Sequence, residues 1–255
     1  MSGKGFDRRC YIDFQIRTSI IIKASMYNAI LRYARENIDG LRESYDWKFK
    51  EETVPCGIRV ADESWYEKNL TLKALLNAAW LEGSSEERYQ LCFWYIRDWG
   101  GIRTNSEETS RLYAAGSEES ILARGVKGIA SWSKALTVRN PKKFAIFDAR
   151  TSISLNAIQL LSNVSDPMIF PHLPSRNSSV PKAQKIVALL QRQRQYKEVD
   201  HSSCYMVYNK LLLDIAAAIG EGFTNQQVEM VLFAQAAKLS DDLISRHGGI
   251  TGTAI

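Results

Sequence analysis

The chain has 255 residues, 45% hydrophobic and 24% charged, with a formal net charge of +5. That composition fits an ordered globular protein of one large domain or two small lobes sharing a core, and excludes a disordered chain. The most apolar runs, at 20–22 and 230–234, are far too short to cross a bilayer, and residues 1–9 are polar and charged, so a cytoplasmic protein without membrane contact is expected. Cys10, Cys56, Cys92 and Cys204 are spaced for neither a zinc ribbon nor an iron–sulfur loop. With His172, His201 and His247 scattered as well, the sequence proposes no metal site and no cofactor.

In chain order, residues 11–23 alternate loosely through Ile12, Phe14 and Ile16 and read as a short strand or part of a helix. Residues 25–37 are helical, ended by Asp39-Gly40, and 54–60 are extended or looped around Pro55 and Gly57. An amphipathic helix over 70–81 closes at Gly83. The run Ser84-Ser85-Glu86-Glu87 starts the next helix, which reaches about Trp99 before Gly100-Gly101. Asn105 or Ser106 caps a helix to Gly116, and Ser117 caps another to about Arg124. A tight turn over 125–131 leads into a helix at 132–138, stopped by Asn140-Pro141. Asp148 starts a helix to residue 160 or 161, and the Pro-, Ser- and Asn-rich stretch 162–180 is a long connection. Helices at 181–197, 202–218 and 225–246 complete an all-α pattern, with a mobile tail from residue 248.

The positive charge is local. Residues 124–150 hold seven cations (Arg124, Lys127, Lys134, Arg139, Lys142, Lys143 and Arg150) and one anion, Asp148. Such a cluster is either a solvated face or a phosphate-binding surface. A second basic stretch, Lys182, Lys185, Arg192, Arg194 and Lys197, surrounds an apolar stripe at 186–190 and reads as a solvated helix face.

Within the first stretch, residues 121–136 read helix, glycine-containing hairpin, helix. A short hairpin at a helix start presents backbone N–H groups and the positive dipole end, which together bind a phosphate without reading sequence. The extended run Phe144-Ala145-Ile146-Phe147 then delivers Asp148 to a helix start, where an aspartate is an N-cap unless chemistry adds to that role.

Here the sequence resembles the helix-hairpin-helix DNA glycosylases. Gly128-Ile129-Ala130-Ser131-Trp132-Ser133-Lys134 is similar to the Gly-hydrophobic-Gly-Pro-Trp-Thr-Ala hairpin of the 3-methyladenine type, and Phe147-Asp148-Ala149-Arg150 to the segment that supplies the catalytic aspartate. The match covers about 117–156 and looks closest to a divergent bacterial oxoguanine-glycosylase-like branch, some members of which serve phage defence. In three respects the chain departs from the pattern: Ala130 stands at the second glycine, the hairpin-to-aspartate spacing is short, and Arg150 stands where many relatives have histidine.

The resemblance implies a two-lobed helical fold, with one lobe over 66–163, the other from 1–65 plus 164–255, and the substrate cleft between them. It implies a monomer that binds double-stranded DNA, flips a damaged or modified base and hydrolyses its N-glycosidic bond. Asp148 would stabilise the positive charge developing on the sugar or activate water. Bifunctional relatives carry a lysine nucleophile at the position of Trp132, so water is the expected nucleophile here, with Lys134, two residues on, as the alternative. Trp132 and Trp99 are the candidate base-pocket walls. The candidate DNA contacts are Lys127, Gly128, Ala130, Ser131, Ser133, Lys134 and Arg150, with Arg103 and Asn105 in the loop that would enter the duplex. A helix-hairpin-helix module that grips DNA without cutting it, or a helical interaction scaffold, fits the same elements. The base, oxidised, alkylated or hypermodified, stays open.

Overall fold

The computed structural model describes residues 23–248. Residues 11–22 of the first expected element and the tail from residue 249 lie outside them. The described chain is all-α apart from one two-residue strand pair. The helices are α1 (Ala24–Asn37), α2 (Leu41–Ser44), α3 (Trp65–Glu82), α4 (Ser85–Trp94), α5 (Glu107–Ala115), α6 (Glu118–Leu122), α7 (Ile129–Arg139), α8 (Ala149–Leu161), α9 (Val180–Arg194), α10 (Cys204–Ile219), α11 (Asn225–Ala234) and α12 (Ala236–His247). Strands β1 (Met168–Ile169) and β2 (Lys197–Glu198) pair in parallel.

Serine caps set many of the boundaries. Ser84, Ser106 and Ser117 each accept a backbone N–H three residues on. Ser64 forms a capping box with Glu67, so α3 starts well before the expected residue 70. The expected helix to Trp99 instead changes pitch: Tyr95–Trp99 is a π-turn. The single helix expected over 225–246 is two. Ser154 Oγ donates to the Leu232 carbonyl at 2.6 Å, occupying the acceptor that a continuous helix would use at residue 236.

Two packing groups share one continuous core. Helices α3, α4, α5 and α7 pack among themselves with the π-turn, while α8 packs against α1, α9, α11 and α12. The segment expected as one lobe over 66–163 is thus divided in packing: α8 sits with the later helices, and the chain crosses between the groups at 140–148. After a turn at 141–143, residues 144–147 of the crossing are extended and buried, yet belong to no sheet. Their backbone is satisfied by side chains instead. Asn209 Oδ1 accepts from Ala145 N (2.7 Å), the Tyr205 and Tyr208 hydroxyls donate to the carbonyls of Ala145 (3.0 Å) and Ile146 (2.7 Å), and Gln226 Nε2 donates to that of Phe144 (2.7 Å).

Candidate functional site

The hairpin is built by two glycines. Gly125 and Gly128 take φ of 56° and 71°, in the left-handed region that favours glycine. At Gly128 a Cβ would also lie 2.8 Å from the Tyr113 hydroxyl, so the position is closed to side chains twice over. Ala130 is already the second residue of α7 with a negative φ, which is why no glycine is needed there. The amides of Ile129, Ser131 and Trp132 bond back to Val126 and Gly128 carbonyls. Those of Gly128 and Ala130 have no acceptor among the described residues, leaving two donors at the start of a helix.

Asp148 is the N-cap of α8. Its Oδ1 accepts from Arg150 N (2.9 Å) and Thr151 N (3.3 Å), while the Thr151 hydroxyl accepts from Asp148 N (3.0 Å). Oδ2 has no protein hydrogen bond among the described residues, and the residue is half-buried. Ser133 ties this aspartate to the hairpin helix. Its hydroxyl accepts from Phe147 N (3.1 Å) and lies 3.3 Å from the Phe147 carbonyl, fixing the residue before Asp148 to the middle of α7. Hydrogen bonds thus join the two expected motifs directly.

Beneath Asp148 lies a group of buried charges. Lys73 on α3 and Glu229 on α11 form an ion pair of 2.6 Å, each side chain only 2% exposed. Burial pushes the Glu229 carboxyl up, against the pull of Lys73, and the nearby Asp148 charge pushes it the same way. Lys134, 3% exposed, donates among the described residues only to the Ala130 carbonyl of its own helix (2.7 Å). Burial lowers its ammonium below the ordinary lysine range, opposed by the charges of Asp148 and Glu229. Its side chain runs along Gly100, where a Cβ would meet Lys134 Cε at 2.6 Å. The hydroxyl of Tyr95, also buried, has no partner among the described residues, and its acidity is weakened first by burial and then by Glu229. Sequence reading missed Lys73, Tyr95 and Glu229. The available signal was a lone charge inside an apolar run, as in Val228-Glu229-Met230-Val231.

Several expected roles are corrected by burial. Trp132 is 0% exposed: its Nε1 donates to the Lys127 carbonyl (3.1 Å), closing the hairpin, and its ring meets Tyr205 edge-on at 4.7 Å. Trp99 is 4% exposed, stacks on Tyr95 and donates to Asn69 Oδ1 (2.7 Å). Both indoles are core, not walls of an open pocket, because their large faces and single N–H donors are satisfied inside the protein. Ser133 and Lys134 face inward and offer nothing to a phosphate. Ser131 is buried as well, with its hydroxyl 3.4 Å from Asn105 Oδ1. Arg150 is half-buried, its guanidinium 4.5 Å from the Phe233 ring and 5.5 Å from Trp47. Trp47, half-buried beside Trp99 and Phe233, is the aromatic that the fold brings to Arg150 and that sequence reading overlooked.

Other expected contacts remain at the surface. Lys127, Gly128 and Arg103 are exposed, Ala130 is half-buried, and half-buried Asn105 joins the 100–106 loop to the hairpin through Ser131. Among the seven cations of 124–150, Lys127 and Lys142 are the two that are exposed, and neither ammonium has a protein partner among the described residues. Arg124 lies over Tyr113, Arg139 donates to the Tyr113 and Gly116 carbonyls, and Lys143 pairs with Glu118. No group of three His, Cys, Asp or Glu among the described residues is placed to hold a metal, and no described helix is long and apolar enough to cross a membrane. No protein-family model, characterised protein or solved structure matches the chain.

Proposed function

We propose that the protein is a helix-hairpin-helix DNA N-glycosylase that hydrolyses the N-glycosidic bond of a base turned out of the duplex. One observation carries the reading: Asp148 is locked through Ser133 to a glycine hairpin that presents two unpaired amides, and one oxygen of its carboxylate is uncommitted. The amides of Gly128 and Ala130, with Lys127 beside them, hold a backbone phosphate of double-stranded DNA. That grip sets the sugar before Asp148. As the carbon–nitrogen bond breaks and the base leaves with its electron pair, Asp148 balances the positive charge on the sugar; water adds to the anomeric carbon and the proton it loses ends on the departed base, leaving an abasic site. Lys134 is turned into the core, which favours water over an amine nucleophile. The proposal includes action as a cytoplasmic monomer, in repair if the base is oxidised or alkylated and in antiviral defence if it is hypermodified.

The test is incubation with duplexes carrying oxidised or alkylated bases and with hypermodified phage DNA, followed by an assay for abasic sites. Abasic sites made by the protein and lost in Asp148→Asn are the expected result; none on any substrate sinks the reading. A covalent adduct trapped by borohydride would assign the chemistry to an amine. A second reading, a module that binds DNA without cutting it, is favoured by the burial of Trp99 and Trp132, which removes both indoles expected to wall a base pocket. It predicts DNA binding with no abasic sites.

A further inference from the structure

A separate concavity of about 240 Å³ lies where the C-terminal ends of α8, α9 and α12 converge. Arg194, Arg246 and His247 line it together with Asn163, Ser165 and Tyr196, over an apolar floor that includes Leu160 and Leu190. Among the described residues, no acidic side chain lines it.

Three helix C-termini attract cations by themselves, because their last carbonyls carry partial negative charge. Arg246 answers to that. Its guanidinium donates to the Leu161 carbonyl and to Asn163 Oδ1, both at 2.7 Å. Arg194 does not. Its guanidinium makes one hydrogen bond among the described residues, to the Tyr196 hydroxyl at 3.3 Å, so most of its donors stay uncommitted. The chain leaves α9 through Gln195 in the left-handed region, φ 53°, which sets Arg194 and Tyr196 on either side of the turn. His247 completes the set: burial lowers its basicity first, and then the charges of Arg246 and Arg194 do. An anchored guanidinium, an uncommitted one and an imidazole with no facing carboxylate form a receptor for a dianion. The apolar floor fits a body attached to that dianion. The volume lies below the ~300 Å³ at which sites for drug-sized ligands begin, so the ligand is compact.

We propose that this cavity binds a phosphate monoester, with Arg194 and Arg246 on the phosphate oxygens and His247 at its edge. The group comes from a small free phosphomonoester or from a 5′-phosphorylated DNA end. The site is independent of Asp148 and of the reaction proposed there.

The test uses proton NMR of the full chain, which has three histidines. Phenyl phosphate supplies the dianion on a compact apolar body. Binding raises the pKa of His247, since a bound dianion favours the imidazolium, and leaves His201 unmoved. Arg194→Gln weakens binding about tenfold or more, the effect of losing one charge-assisted hydrogen bond. Arg194 holds no backbone group, so this variant keeps its fold even if Arg246→Gln does not. A 5′-phosphorylated duplex that shifts His247 where its 5′-hydroxyl counterpart does not assigns the group to DNA ends; a shift with phenyl phosphate alone assigns it to a free metabolite. An unmoved His247 at millimolar phenyl phosphate, an unchanged affinity in Arg194→Gln, or equal binding of benzoate overturns the proposal.

Discussion

The two basic stretches of the chain look alike as sequence and meet opposite fates. In 124–150 most cations are structural: Arg139 holds two carbonyls, Lys143 pairs with Glu118, and Lys134 is buried. In 182–197 all five cations are exposed, as expected of a solvated face, and Arg194 borders a cavity. The difference lies in what surrounds each stretch. The first begins at a glycine hairpin and ends at the crossing between two packing groups, so its side chains become mortar between helices. The second runs along α9 and into β2: Lys182, Lys185 and Arg192 stand away from the side that packs through Ile186, Val187 and Leu190, Arg194 ends the helix one turn beyond Leu190, and Lys197 lies on β2. Charge density along a sequence therefore does not measure charge available to a partner.

Removing a charge that is buried or paired changes chemistry or stability, whereas removing an exposed, unpaired one on α9 changes neither. The largest effect is expected at Asp148. Asparagine caps a helix as well as aspartate does, so Asp148→Asn leaves thermal stability nearly unchanged while abasic-site formation falls by about 100-fold or more. Equal loss of DNA binding would show a structural role instead. Next, Lys73→Met strands Glu229 in the core and lowers unfolding free energy by about 3–5 kcal/mol in urea denaturation. A loss below about 1 kcal/mol would mean that water reaches the pair.

A smaller, paired contrast tests the comparison directly. Arg139→Gln frees the Tyr113 and Gly116 carbonyls and costs about 1–3 kcal/mol, while Lys185→Gln stays within about 0.5 kcal/mol. Similar losses in both would erase the distinction between the stretches. For DNA, Lys127→Gln reduces the slope of log affinity against log salt by about one, and Lys134→Gln leaves that slope unchanged because its ammonium never reaches a phosphate. The smallest effect is on pH. Folding lowers the proton affinity of His247, so the unfolded chain binds more protons near and below pH 6.5, and stability falls as pH drops through that range. The midpoint temperature of the wild type declines more between neutral and mildly acidic pH than that of His247→Gln. Identical curves would remove His247 from that effect.

Local chemistry made much of the fold legible in the sequence. Serine caps, glycine stops and the Asn140-Pro141 break act through nearest neighbours, so they fixed most helix starts and ends without a partner in view. The hairpin glycines and Asp148 at a helix start belong to the same class. Tertiary packing decided the rest, for reasons of geometry that run between distant residues. Whether Trp132 faces a base or the core depends on Tyr205, more than seventy positions away, and the Lys73–Glu229 pair spans an even longer separation. The division of residues 225–246 into α11 and α12 depends on Ser154, which lies on another helix. The sequence alone determined an all-α chain with a basic hairpin followed by a capping aspartate. Only the assembled core decided which of those charges face outward, because burial is a property of what packs above a residue and not of its place in the chain.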